Sequence, residues 1–114
     1  MRSEGTAKMP KQSKLTSAIG FAMKAGRLKS GNFAVEKLVR AGKARLVLID
    51  EAASENTKER YRTLCTAHRT EQMEVFELGS WIGKPGRMLA AVTDEGFANR
   101  IKRASAENET VQGE

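Results

Sequence analysis

Four large apolar residues stand in a row, Leu46-Val47-Leu48-Ile49, between Arg45 and Asp50. The run is shorter than the roughly 10 residues a core helix needs, and it is rich in β-branched side chains. It lacks the alternation that would let one face of a strand meet water. These residues therefore predict a strand covered on both faces. Such a strand needs packed layers above and below it, and the rest of the chain has to supply them.

The flanking segments carry helical spacing. From Ser13 onward, Leu15, Ala18, Ile19, Ala22 and Met23 fall on one stripe, and Gly26 ends the pattern with Lys24 in the last turn. Leu28 falls in a short strand or turn. A second helix is predicted from near Gly31 to Gly42, with Ser30 as its N-cap. After the buried run, Ser54 caps a third helix, and Glu55 complements its positive end. Thr57, Tyr61, Leu64, Cys65 and His68 share a stripe on that helix, which places Cys65 and His68 inward. Residues 73–78, "MEVFEL", alternate and predict a strand. "GSWIG" has the length of one helical turn, "KPGR" of a loop and "MLAAVT" of another buried strand. "DEGFANRIKRA" predicts a last helix, with Asp94 and Glu95 at one end and Arg100, Lys102 and Arg103 at the other. Helices and strands alternate throughout, which predicts an α/β chain folded as a three-layer α/β/α sandwich. Residues 1–12 lack periodicity and are assigned to a flexible basic tail, 13–104 to a single domain, and 105–114 to a flexible acidic tail.

Length and composition narrow the functions. A chain of 114 residues holds one cored domain, not two. No apolar run approaches the roughly 20 residues of a membrane span, and no signal-peptide core follows the polar start. One cysteine excludes an internal disulfide and suits a reducing, cytoplasmic setting. Cys65 with the single His68 does not make a four-ligand zinc site, so neither metal nor cofactor is expected. No Ser/His/Asp set or carboxylate dyad is evident, and Asp50-Glu51 reads as the start of a loop. "GSWIGKPG" has three residues between Gly79 and Gly83 where a phosphate-binding loop needs four, and Pro85 stands where Ser or Thr would hold magnesium. An enzyme is therefore not expected.

Charge is unevenly spread. Residues 1–48 carry eleven Lys or Arg against Glu4 and Glu36, whereas the remainder carries nine basic and twelve acidic residues. A basic half joined to a slightly acidic one is the footprint of a polyanion-binding face. Within the basic half, Ala34, Val35, Leu38 and Val39 cluster on one face of the predicted helix. Phe33 points almost opposite, in a stripe with Lys37 and Arg40. An aromatic ring between cations suits a base, with the cations on phosphates. Folding back onto Leu28 or the first helix is the competing placement. Gly31 and Asn32 open the helix with small side chains, leave its positive end accessible to phosphate, and follow Arg27 and Lys29.

"SGNFAVEKLVRAGKARLVLIDEAASENT" and "LGSWIGKPGRMLAAVTDEGFA" together resemble the kink-turn RNA-binding ribosomal protein family, in its small bacterial branch. The resemblance spans about Leu15 to Ile101. It is carried by Gly31 with Lys37 six residues on, by "GKARLVLI", and by the Leu78-Gly79-x-x-x-Gly83 turn. It implies an α/β/α sandwich around a four-stranded mixed sheet, and a non-catalytic, ribosome-associated protein that binds structured ribosomal or non-coding RNA. Gly31 and Lys37 match the family's motif. Arg87, Met88 and Leu89, with Lys84 beside them, match its second, apolar loop, and Glu51 matches a bordering acidic position. Where the family has Asn-Glu to read sheared G·A pairs, this chain has Phe33-Ala34. Asn32 lies one position earlier. Losing that reader removes about 1–3 kcal/mol of base discrimination while leaving phosphate attraction in place. Stacking on Phe33 would then replace edge reading. The competing function is a protein-interaction module of the same fold, with Phe33 and the Met88-Leu89 loop as its apolar contact. Trp81, beside Leu78 and Ile82, is assigned to packing. Small size favours a monomer.

Overall fold

The computed structural model describes the backbone of residues 3–113 and the side chains of residues 14–106. Nine elements follow one another: α1 (Ser3–Lys24), β1 (Leu28–Ser30), α2 (Asn32–Arg40), β2 (Leu46–Asp50), α3 (Glu55–Ala67), β3 (Gln72–Val75), α4 (Leu78–Trp81), β4 (Leu89–Val92) and α5 (Glu95–Gly113). The strands form one four-stranded sheet in the order β1-β4-β2-β3. β4 pairs antiparallel with both β1 and β2, and β2 pairs parallel with β3, so the sheet is mixed.

The β2 run behaves as its composition requires. All five of its residues are buried, and successive side chains enter opposite layers. Leu46 and Leu48 join Leu15, Ile19, Leu78 and Ile101 beneath α1, α4 and α5. Val47 and Ile49 join Val35, Val39, Tyr61 and Cys65 beneath α2 and α3. β4 alternates in the same way, with Ala90 and Val92 in the first cluster and Leu89 and Ala91 in the second. Two cores on the two faces of one sheet make the three-layer sandwich.

Several boundaries differ from the sequence reading. α1 starts at Ser3, not Ser13, and α5 continues past Ala104 to Gly113, so helical backbone occupies most of both segments assigned to tails. Met1, Arg2 and Glu114 lie outside the described residues. α1 and α5 lie against each other. β3 stops at Val75 because Glu77 turns left-handed, with φ 53° and ψ 50°, and redirects the chain into α4. Phe76 is therefore half-exposed at a bend. Its carbonyl accepts the Trp81 indole N–H, and Trp81 packs half-buried against the α1 side of the core. His68 is exposed, not inward. It is the C-cap of α3, where the backbone leaves helical geometry and the stripe no longer applies. Cys65, one turn earlier, is fully buried, and burial pushes its thiol up to about 11.

Candidate nucleic-acid interface

The start of α2 is built by glycine, not by serine. Ser30 belongs to β1, and Gly31 is the N-cap, with φ 104° and ψ 150° and no side-chain cap. That backbone region is open essentially only to glycine. The Gly31 N–H donates to the Leu89 carbonyl at 2.9 Å, which ties the helix start to β4. Ser30 takes a different part. Its Oγ accepts a hydrogen bond from Arg87 Nη1 at 2.7 Å. The same guanidinium nitrogen lies 3.1 Å from where a Gly31 Cβ would stand.

The 83–87 loop is held in place by a second close approach. A Cβ on Gly79 would sit 2.7 Å from the Lys84 carbonyl and 3.0 Å from the Gly86 nitrogen. Only glycine lets the loop close onto α4 there, and the Lys84 N–H then donates to the Gly79 carbonyl at 2.8 Å. Asp50 anchors α4 from the other side. Its buried carboxylate accepts from the Ala52 N–H at 2.8 Å and from the Leu78 N–H at 3.1 Å. Asp50 is thus a structural clamp, as its position at a loop start suggests.

These constraints bring β1, the start of α2 and the 83–87 loop around a shallow cleft of about 330 Å³. Lys29, Lys84 and Arg87 line it, with Met23, Leu28 and Ala34 as its apolar part. No acidic side chain is among its described lining residues. Three cations over an apolar floor, beside an uncapped helix start, make a concave and positively charged surface.

The other expected residues are placed unevenly around this cleft. Phe33 is 81 % exposed, which rules out folding back onto Leu28 or α1. Asn32 and Lys37 are exposed on the same helix, and Arg27 is exposed just before β1. Arg40 is exposed but engaged: it pairs with Glu36 at 3.1 Å, and Glu36 also holds Arg60 of α3 at 3.2 Å. Its charge is partly spent on that network, away from the stripe with Phe33. Leu89 is a correction. It is fully buried as the first residue of β4 and belongs to the α2-side core, so its side chain is not available to a ligand. Met88 is half-buried against the same core. Glu51 is exposed next to Phe76 and Glu77, outside the cleft. The sequence reading missed Ser30 as the acceptor for Arg87, and missed Met23 and Ala34 in the lining. Ser30 is 57 positions from Arg87, and no local spacing announces that contact.

Residues 13–102 match the Ribosomal protein L7Ae/L30e/S12e/Gadd45 family. The chain belongs to this family. A relative from Bacillus subtilis (strain 168), named RNA-binding protein YlxQ, is 38 % identical over 86 residues, covering 73 % of this chain and 86 % of that protein. A Bacillus halodurans protein of unknown function superposes with a TM-score of 0.75 at 30 % identity, covering 80 % of this chain and 95 % of that one. The Giardia lamblia 15.5kD RNA binding protein superposes with a TM-score of 0.68 at 18 % identity, covering 89 % of each chain, and shows the shared fold. Membership in the L7Ae/L30e/S12e/Gadd45 family agrees with the sandwich and its mixed sheet.

Proposed function

We propose that this protein is a non-catalytic, cytoplasmic RNA-binding protein that takes structured, kink-turn-like RNA at the cleft between the start of α2 and the 83–87 loop, in association with the ribosome. The observation that carries the reading is the convergence of Lys29, Lys84 and Arg87 on one cleft beside the α2 N-terminus. The name of the YlxQ relative supports the same partner.

The cations take backbone phosphates, and the positive end of α2 adds to them. Phe33, exposed one residue into the helix, offers a ring face to an unstacked base. Ala34 lacks a side chain able to hydrogen-bond a guanine edge, so stacking and shape replace edge reading. Affinity is then strongly salt-dependent and sequence discrimination modest. With Leu89 in the core and Met88 half-buried, the apolar patch expected of a protein-binding module shrinks mainly to Phe33, which favours RNA.

The test is fluorescence anisotropy with a kink-turn RNA hairpin at fixed salt, on Phe33→Ala, Lys37→Ala and Arg87→Ala. Losing the stacked base weakens binding by about 1–3 kcal/mol, and each lost cation lowers the salt slope by roughly 0.7–0.9. Unchanged affinity in all three variants refutes the assignment. Cosedimentation of the wild type with ribosomal subunits on a gradient tests the ribosomal part separately.

A further inference from the structure

A second basic and aromatic surface lies outside this cleft. Between α1 and α5 runs an open groove of about 400 Å³, the first helix contributing Lys14, Ala18 and Phe21 and the last Arg100, Arg103 and Ala104. Its floor is made of two alanines, its walls of three cations, and Phe21 is 52 % exposed in it. No described lining residue is acidic. Lys14 and Phe21 are two helical turns apart, about 10 Å along α1. Arg100 and Arg103 are one turn apart on α5. The Arg100 guanidinium lies 6.0 Å from the centre of the Phe97 ring, a contact that helps hold it at the groove.

On α1 the core stripe of Leu15, Ala18, Ile19 and Ala22 separates Phe21 from Met23, which lines the cleft already described. At 3.6 residues per turn, Phe21 and Met23 project about 160° apart. The groove and the cleft therefore flank α1 on opposite sides, and the first site has no use for Phe21, Arg100 or Arg103.

We infer that the α1/α5 groove is a second RNA contact, which takes a single-stranded segment with a base on Phe21 and phosphates on Arg100 and Arg103. Charge complementarity decides the occupant. Two arginines beside one exposed ring match a polyanion with stackable bases, whereas an apolar partner helix would need several large pockets, and the alanine floor offers none. The inference rests on the RNA-binding reading. It adds single-stranded RNA, flanking the structured element, as the substrate class of a separate surface.

The experiment uses a short fluorescent oligouridylate and, in parallel, the kink-turn hairpin. Phe21→Ala should weaken oligouridylate binding by about 5- to 150-fold. The double variant Arg100→Ala/Arg103→Ala should lower its salt slope by about 1.4. Both should leave the bare hairpin's affinity within twofold of wild type. Arg87→Ala should do the reverse. Far-UV circular dichroism confirms folding, and photo-crosslinking of a 4-thiouridine oligomer should label the peptide that contains Phe21. If the wild type does not bind oligouridylate, or if both groove variants bind it unchanged, the inference is overturned and the groove is left to a protein partner. Loss of hairpin binding through Arg87 would still stand in that case, so the two readings fail separately.

Discussion

Replacing Gly31 probes the backbone on which the cleft depends. At φ 104° and ψ 150° any side chain is strained, at a cost of about 1–3 kcal/mol. A new Cβ would also meet Arg87 Nη1 at 3.1 Å, although that guanidinium is the end of a flexible chain and can yield. Alanine restricts the unfolded chain, which offsets about 0.4–1 kcal/mol of the loss. Gly31→Ala should therefore destabilise by about 1–2 kcal/mol and lower the melting temperature by roughly 4–15 °C. Gly42 is the control. It has φ 73°, and a Cβ placed there would meet nothing within 4 Å. The Lys43 N–H donates to the Leu38 carbonyl at 2.9 Å and the Gly42 N–H to the Val39 carbonyl at 3.0 Å, the pairings of a left-handed helix end. Asparagine tolerates that conformation but not the one at Gly31. Gly42→Asn should thus retain most of the wild-type stability, whereas Gly31→Asn should melt no higher than Gly31→Ala. Thermal melts of the wild type and these three variants, with hairpin binding measured well below each midpoint, check this. RNA affinity should fall only in the Gly31 variants, because only there are Arg87 and the tie to Leu89 disturbed. Equal losses for asparagine at both positions, or a Gly31→Ala protein melting with wild type, would refute the reasoning.

The Asp50 clamp should be costly to remove. Asp50→Asn loses a charged acceptor for one of two N–H groups, the Leu78 N–H buried and the Ala52 N–H part-buried, about 1.5–3 kcal/mol by urea denaturation, and Asp50→Ala loses both and should cost more. Cys65 should resist iodoacetamide in the native protein at neutral pH and react once unfolded, as followed by mass shift. Its raised thiol also makes stability pH-dependent in one direction. The unfolded thiol ionises first, from about 8.5. Stability present below that point should decline as pH rises toward about 11. Burial also raises Tyr61 and adds a loss of the same sign, beginning once the unfolded phenol ionises from about 10. Cys65→Ala should flatten the lower part of that slope in urea midpoints taken across the range.

Much of the fold is readable from local chemistry. The unbroken run at 46–49 required cover on both faces, and it has it. Gly26 and Gly42 stop their helices, and the Ser54 Oγ accepts from the Thr57 N–H at 3.1 Å as an N-cap should. Helical angle alone puts Phe33 opposite the buried valines, and its exposure agrees. These features depend on backbone conformation and on neighbours within a few turns, which a sequence displays directly.

Other features were decided by segments distant in the chain. Ser30 looks like a helix cap by type and position, but pairing of β1 with β4 makes it a strand end and offers its hydroxyl to Arg87. Leu89 looks like part of an apolar loop, but the register that sets it opposite Ile49 turns its side chain into the core. Phe21 stands next to the core stripe in sequence, and only the path of α5 beside α1 makes it the aromatic wall of a cationic groove. Sequence periodicity determines which face of an element avoids water, because burial repeats with the element's own geometry. What the remaining faces meet depends on which elements become neighbours, and that is settled only when the sheet and its covering helices pack.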